Sequence, residues 1–280
     1  MGTILHPTDF SETSRSAFEH ALCLAFVGQH KLTILHVETR AAGSADWSQF
    51  PRIRETLAGW DFIAADMSPA DLTTSTGMSV QKVNAFGSDP AAATAHYLER
   101  HPADLIVVGT QGRTGLDAWV HKSLAVRLAD AVMQPVLFVR EGISGLVGAS
   151  TERKQMTVLV PVDHEPDPQH AMDYVWHLRD VWNLPVGAIL GIHVGNEPLS
   201  PPVIFSDQEN IRHEMHQVTG DPSEEIINSI PRTGADLIVM TRAGPDGVVE
   251  KFIGSTTERV IQAASCPVLV LRAPSYDQPR

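Results

Sequence analysis

Metal binding, nucleophilic attack and anion binding are the chemistries open to a chain with 13 histidines, 2 cysteines and 20 glycines, and spacing decides among them. His164-Glu165 and His170 lack the H-E-x-x-H interval that sets two imidazoles on one helical turn. His213 and His216 fall on an expected strand, where positions three apart point to opposite faces. His6, Asp9 and Ser11 are too close in sequence for a Ser-His-Asp arrangement, and no G-x-S-x-G elbow is present. Cys23 and Cys266 give neither a disulfide framework nor a metal-ligand spacing, and Cys266, placed before Pro267, reads as an inert buried thiol. No metal site and no catalytic set is therefore expected. What remains is backbone chemistry. A phosphate can be held by backbone N–H groups without a basic surface, and this chain has none to offer. It sets 21 basic against 33 acidic side chains in 280 residues, a net charge of −12. That balance excludes a nucleic-acid scaffold, whose footprint is a basic face.

The elements that must position any such site come twice. Asp104-Leu105-Ile106-Val107 recurs 132 positions on as Asp236-Leu237-Ile238-Val239, and the same offset takes Pro135-Val136-Leu137 to Pro267-Val268-Leu269 and Asp89-Pro90 to Asp221-Pro222. Nearer the start of each half the offset is larger: Pro7-Thr8-Asp9 maps to Pro161-Val162-Asp163 at 154, and His36-Val37 to His193-Val194 at 157. The chain is a tandem duplication whose second copy has a shortened connection. The Gly/Ser-rich stretch near 142–155 reads as the linker, giving domains 1–142 and 155–280. Within each half, short apolar runs alternate with amphipathic stretches, the pattern of βαβ units around a parallel sheet. The missing residues fall opposite an expected helix over 51–66, so the second half should lack that helix. The N-terminus has no signal-peptide pattern and no apolar run reaches the ~18 residues of a membrane span. A cytoplasmic protein with no membrane contact is expected.

At this point the chain resembles the universal stress protein family, in its tandem two-domain form. The residues that carry the resemblance are His6-Pro7-Thr8-Asp9-Phe10-Ser11, the run Ala103 to Leu116, and Gln134 to Arg140. In the second half they are Val160-Pro161-Val162-Asp163, Gly220-Asp221-Pro222, Gly254-Ser255 and Ser265 to Arg272. The resemblance implies two open α/β units of the adenine nucleotide alpha hydrolase-like type, each a five-stranded parallel sheet in the order 3-2-1-4-5, paired about a pseudo-two-fold. In that order the loops after strands 1 and 4 meet at a topological switch point, where α/β sheets hold ligands.

Nucleotide-binding members of the family carry G-x2-G-x9-G-[ST]. The first copy has Gly109, Gly112 and then Lys122-Ser123, with lysine at the third glycine position. The second has Thr241 at the first position, then Gly244 and Gly254-Ser255-Thr256. Lys122 adds a Cβ where glycine is free to take positive φ, yet its ammonium can offset phosphate charge. Thr241 narrows the entrance, and Arg242 can supply charge beside it. The intact Gly254-Ser255 corner tips the reading slightly toward the second site. With Pro7, Asp9, Val37, Pro161, Asp163 and Val194, which the resemblance places toward the nucleotide, these residues form two candidate sites for ATP or another adenine nucleotide, with Mg²⁺ accompanying the phosphates. Local structure offers a rival account of each. The glycines can serve βα turns, Ser255 with Glu258 reads as a capping box, and Asp9 and Asp163 can cap the helices that follow.

The reading is thus a stress-response binding and regulatory protein. Its alternatives are a nucleotide-free interaction module, or a slow ATPase or nucleotide hydrolase, which would need a general base the sequence does not show. Each half is expected to keep its own sheet. The apolar final strands, Val136 to Val139 and Val268 to Leu271, are expected to pair with each other, since an exposed apolar edge invites association. Homodimerisation and an unnamed protein partner complete the expectation.

Overall fold

The computed structural model describes residues 1–39, 46–110, 123–151, 154–205, 210–242 and 254–273. The first half runs β1 (Thr3–Thr8), α1 (Glu12–Val27), β2 (Lys31–Glu38), α2 (Ile53–Gly59), α3 (Pro69–Thr76), β3 (Ser79–Phe86), α4 (Pro90–Arg100), β4 (Leu105–Thr110), α5 (Leu124–Ala131) and β5 (Val136–Arg140). After a connecting helix α6 (Gly145–Thr151), the second half runs β6 (Met156–Val162), α7 (Pro168–Asp180), β7 (Val186–Val194), β8 (Arg212–Val218), α8 (Pro222–Thr233), β9 (Leu237–Arg242), α9 (Ser255–Ala263) and β10 (Val268–Arg272). Helix starts follow the local chemistry. Ser11, Ser68, Asp89, Ser123, Asp167 and Asp221 each cap a helix by accepting a backbone N–H with the side chain, and Pro stands in the first turn of α3, α4, α7 and α8.

Strand order is β3-β2-β1-β4-β5-β10-β9-β6-β7-β8. Each half therefore has the expected 3-2-1-4-5 order with parallel neighbours, and the two meet where β5 and β10 pair antiparallel, Leu137 opposite Leu269. This corrects the expectation of separate sheets. Pairing the two apolar edge strands fuses them into one ten-stranded sheet, so both sequence expectations cannot hold together. Each face of the sheet carries a core that runs through both halves; Ile4, Phe18 and Leu137 share one with Val160, Trp182 and Leu269. The seam is tied by arginines that reach across it. Arg140 donates to the Ala264 carbonyl at the end of α9 at 3.0 Å, and buried Arg242 donates to the Ala129 carbonyl in the last turn of α5 and faces Asp130 at 3.7 Å. Cations at helix C-termini meet both the free carbonyls and the negative end of the helix dipole.

Two further differences have local causes. The expected helix over 51–66 is realised only as α2, which ends at Gly59, where Asp61 takes a left-handed conformation at φ 58°; α3, started by Ser68-Pro69, is a separate helix beyond the expected bounds. The linker is not a loose tether, since α6 packs on α1 and buries Leu146 and Val147. Among the described residues no helix lies between β7 and β8, as the shortened second copy requires. No described helix is long and apolar enough to cross a membrane.

Candidate functional site

Strands β1 and β4 lie side by side, and so do β6 and β9. The chain leaves each pair in opposite directions, and a cleft opens beyond the strand ends in each half.

The first cleft encloses about 360 Å³ and is lined by Pro7, Asp9, Val37, Gly109 and Ser123, all singled out by the sequence. Ser123 caps α5 by accepting the Val126 N–H at 3.3 Å, and its hydroxyl proton stays available to a ligand at a helix N-terminus. Asp9 does not cap α1. It accepts from Ser11 N at 3.0 Å and from Ser11 Oγ at 2.6 Å, holding the serine that does the capping. Gly109 is needed for packing. A Cβ there would stand 2.6 Å from the Thr13 carbonyl oxygen and 3.1 Å from Ser14 N, so only glycine lets the start of α1 close on β4. The sequence reading missed Thr13, Ser14 and Thr94, which add hydroxyls to the wall. Ser14 Oγ donates to Thr8 Oγ1 at 2.8 Å and lies 3.5 Å from His6 Nε2. His6 Nδ1 faces the Val107 carbonyl at 2.9 Å, and complete burial pushes its pKa down to about 4, so the ring is neutral.

The second cleft encloses about 180 Å³ and is lined by Pro161, Asp163, Val194 and Thr256 among the expected residues. Four replacements separate it from the first. At the offset of 154, Glu165, Asp167 and Pro168 replace Ser11, Thr13 and Ser14. Carboxylates and a proline ring thus stand where the first cleft has hydroxyls. Thr241 on the wall replaces Gly109, with its buried hydroxyl unpartnered. Arg242 does not serve the cleft at all, because its guanidinium is committed to the end of α5. The capping-box reading of Ser255 is also corrected. Gly254 is the cap residue and Ser255 the first residue of α9, with no side-chain cap bond, and both are exposed. Asp163 does not cap α7, whose cap is Asp167; it accepts from His164 N at 2.8 Å. Gly112, Lys122 and Gly244 lie outside the described residues.

Beside the second cleft the fold gathers a group the spacing rules passed over. Asp163, His164 and His193 each bring a donor atom within 4.8 Å of the others. The only sequence signal is an Asp-His pair at the end of one strand and a histidine at the end of the next.

The chain is an open α/β protein with a switch-point cleft at the carboxyl ends of the strands in each half. The model of the Universal stress protein family matches residues 1–140 and 204–272, and the chain belongs to that family. Universal stress protein MJ0531 of Methanocaldococcus jannaschii is 35% identical over 83 residues, which is 30% of this chain and 49% of that protein. The chain spans about half the length of the curated relatives it matches. A universal stress protein structure from Archaeoglobus fulgidus shares the fold along 97% of this chain and 98% of its own, at 20% identity and a TM-score of 0.65. A universal stress protein solved in complex with cAMP covers 50% of this chain and 98% of its own, at 19% identity and a TM-score of 0.39.

Proposed function

We propose that this chain is a nucleotide-responsive binding protein, built of two units at 1–142 and 155–280, and that its first cleft takes an adenine nucleotide. The observation that carries the reading is the contrast between the two clefts. The first has a volume within the ~300–1,000 Å³ range of ligand pockets, a wall of hydroxyls and the N-terminus of α5 at Ser123. The apolar Pro7, Leu35, Val37 and Val108 offer a flat base its faces, and Asp9 offers an acceptor to an amine or a ribose hydroxyl. The second has half the volume, with Glu165 and Asp167 on its wall, and carboxylates repel a polyphosphate. This reverses the slight preference for the second site. Mg²⁺ enters with the phosphates of ATP or ADP, held by the nucleotide. Hydrolysis is not part of the reading, since neutral His6 is buried beneath Ser14 and a pKa near 4 makes it a poor base. Association with a second copy or a protein partner would use surfaces other than β5 and β10, which are consumed within the chain; light scattering of the purified protein tells whether a second copy associates. Mass spectrometry of small molecules released from the purified chain tests the main reading. An adenine nucleotide at up to one per chain supports it. A protein free of nucleotide that stays so after incubation with ATP, ADP and AMP leaves the interaction module.

A further inference from the structure

The group at Asp163, His164 and His193 poses a hydrogen-bonding problem. His193 is buried, and both ring nitrogens face backbone carbonyl oxygens: Nδ1 lies 3.2 Å from that of Val162 and Nε2 lies 3.1 Å from that of Glu197. A neutral imidazole has one N–H and one lone pair. In that form one contact is a hydrogen bond, and the other sets a lone pair against a carbonyl oxygen. With Nε2–H donated to the Glu197 carbonyl, the lone pair falls on Nδ1, on the side of Asp163.

A cation resolves the conflict. The other donors are in place. Asp163 Oδ1 lies 3.9 Å from His193 Nδ1, and the His164 ring stands edge-on to His193 with centroids 5.2 Å apart. His164 Nδ1 is engaged by the backbone of Ser200, at 3.1 Å from its carbonyl oxygen. The Ser200 N–H also meets Nδ1, at 3.2 Å, so the Ser200 backbone fixes the ring on this side, and the ring ligates through Nε2 when Nδ1 carries the proton given to the Ser200 carbonyl.

The first copy serves as an internal control. His36, the counterpart of His193, makes the same contact to the end of β1, with Nδ1 2.8 Å from the Thr8 carbonyl. The counterpart of His164 there is Phe10, which stacks on His36 at 4.2 Å. The first copy thus has two of the three donors and a phenyl ring over the site.

We infer that Asp163, His164 and His193 form a binding site for a borderline divalent cation of the Zn²⁺ type, in the second copy alone. Two imidazoles and one carboxylate suit Zn²⁺, Co²⁺ or Ni²⁺ better than the oxygen-seeking Mg²⁺ or Ca²⁺. Glu165 and Asp167, which count against phosphate in the adjacent cleft, add attraction for a cation. The site is independent of the nucleotide reading, because it lies in the other half and involves no nucleotide atom.

The test is calorimetry and thermal melting of the full chain with ZnCl₂ and with MgCl₂, in the absence of nucleotide. The expected result is one saturable Zn²⁺ site per chain and a melting rise of several degrees at a hundredfold excess over Kd, with neither from Mg²⁺. His164→Phe, which copies the first half, and Asp163→Asn each weaken Zn²⁺ binding by about tenfold or more, while His213→Ala leaves it unchanged. Both informative variants change residues that reach solvent, so folding is preserved and far-UV circular dichroism verifies it. Absence of saturable Zn²⁺ binding overturns the inference. Binding that survives His164→Phe undiminished also overturns it, by placing the metal on other histidines.

Discussion

His6 gives the most quantitative test of how the first half is built. Its ring is wholly buried under the first cleft, and burial moves its pKa from an ordinary 6.5 down to about 4. A histidine whose folded pKa is depressed favours the folded state while it is neutral. Its contribution is complete above the unfolded pKa and is lost as pH falls toward the folded one. Between pH 7 and pH 5 the unfolded imidazole becomes almost wholly protonated, whereas the buried ring reaches only about one-tenth. The difference is about 2 kcal/mol of stability lost to this one group. The second copy has Val160 at the matching position, so His6→Val removes the titrating group with a side chain the fold accepts. Urea denaturation of parent and variant at pH 7 and pH 5 gives the comparison, and other titrating groups cancel in the difference. The variant should lose about 2 kcal/mol less than the parent over that interval. Equal losses would show that His6 is not buried as described, and the polar floor of the first cleft would have to be redrawn.

Other consequences are simpler to read. Gly109→Ala should destabilise by about 1–3 kcal/mol, seen as a lower melting temperature, because its Cβ meets the α1 backbone with nothing flexible to yield. Arg242→Ala should cost about 2–3 kcal/mol through lost charge-assisted bonds to the end of α5, measured by urea denaturation; a loss below ~0.5 kcal/mol would mean that the arginine does not tie the seam. Burial pushes the Cys23 thiol up to about 11 and the Cys266 thiol up to about 12, so neither should react with a thiolate-selective reagent at pH 8 until the chain is unfolded.

Much of this architecture could be read from repeats and periodicity. The change of offset from 132 to 157 located the lost helix of the second copy, and the apolar final strands announced their own pairing. What escaped was whatever depended on two segments meeting in space. Pairing β5 with β10 makes one sheet, a consequence that two separate local readings did not combine. Arg242 looked available to a phosphate because its charge was legible, but its partner on α5 lies 113 residues away. The Ser255 capping box failed by one residue, as helix starts often do. The contrast between Ser11, Thr13 and Ser14 and their counterparts Glu165, Asp167 and Pro168 was present in the aligned repeats. It acquired meaning only once both sets were seen to line the clefts. The cluster at His193 escaped because its donors sit at the ends of two strands, outside any fixed motif spacing.

The central claim is that the first cleft, and not the second, receives an adenine nucleotide. Calorimetric titration of ATP, ADP and AMP, with and without Mg²⁺, into the parent and into Val37→Trp and Val194→Trp tests it most directly, because each substitution fills one cleft at the matching position. One saturable event in the parent is predicted, abolished by Val37→Trp and retained in Val194→Trp. No binding of any of the three nucleotides to the parent, or binding that survives Val37→Trp and disappears in Val194→Trp, would contradict it.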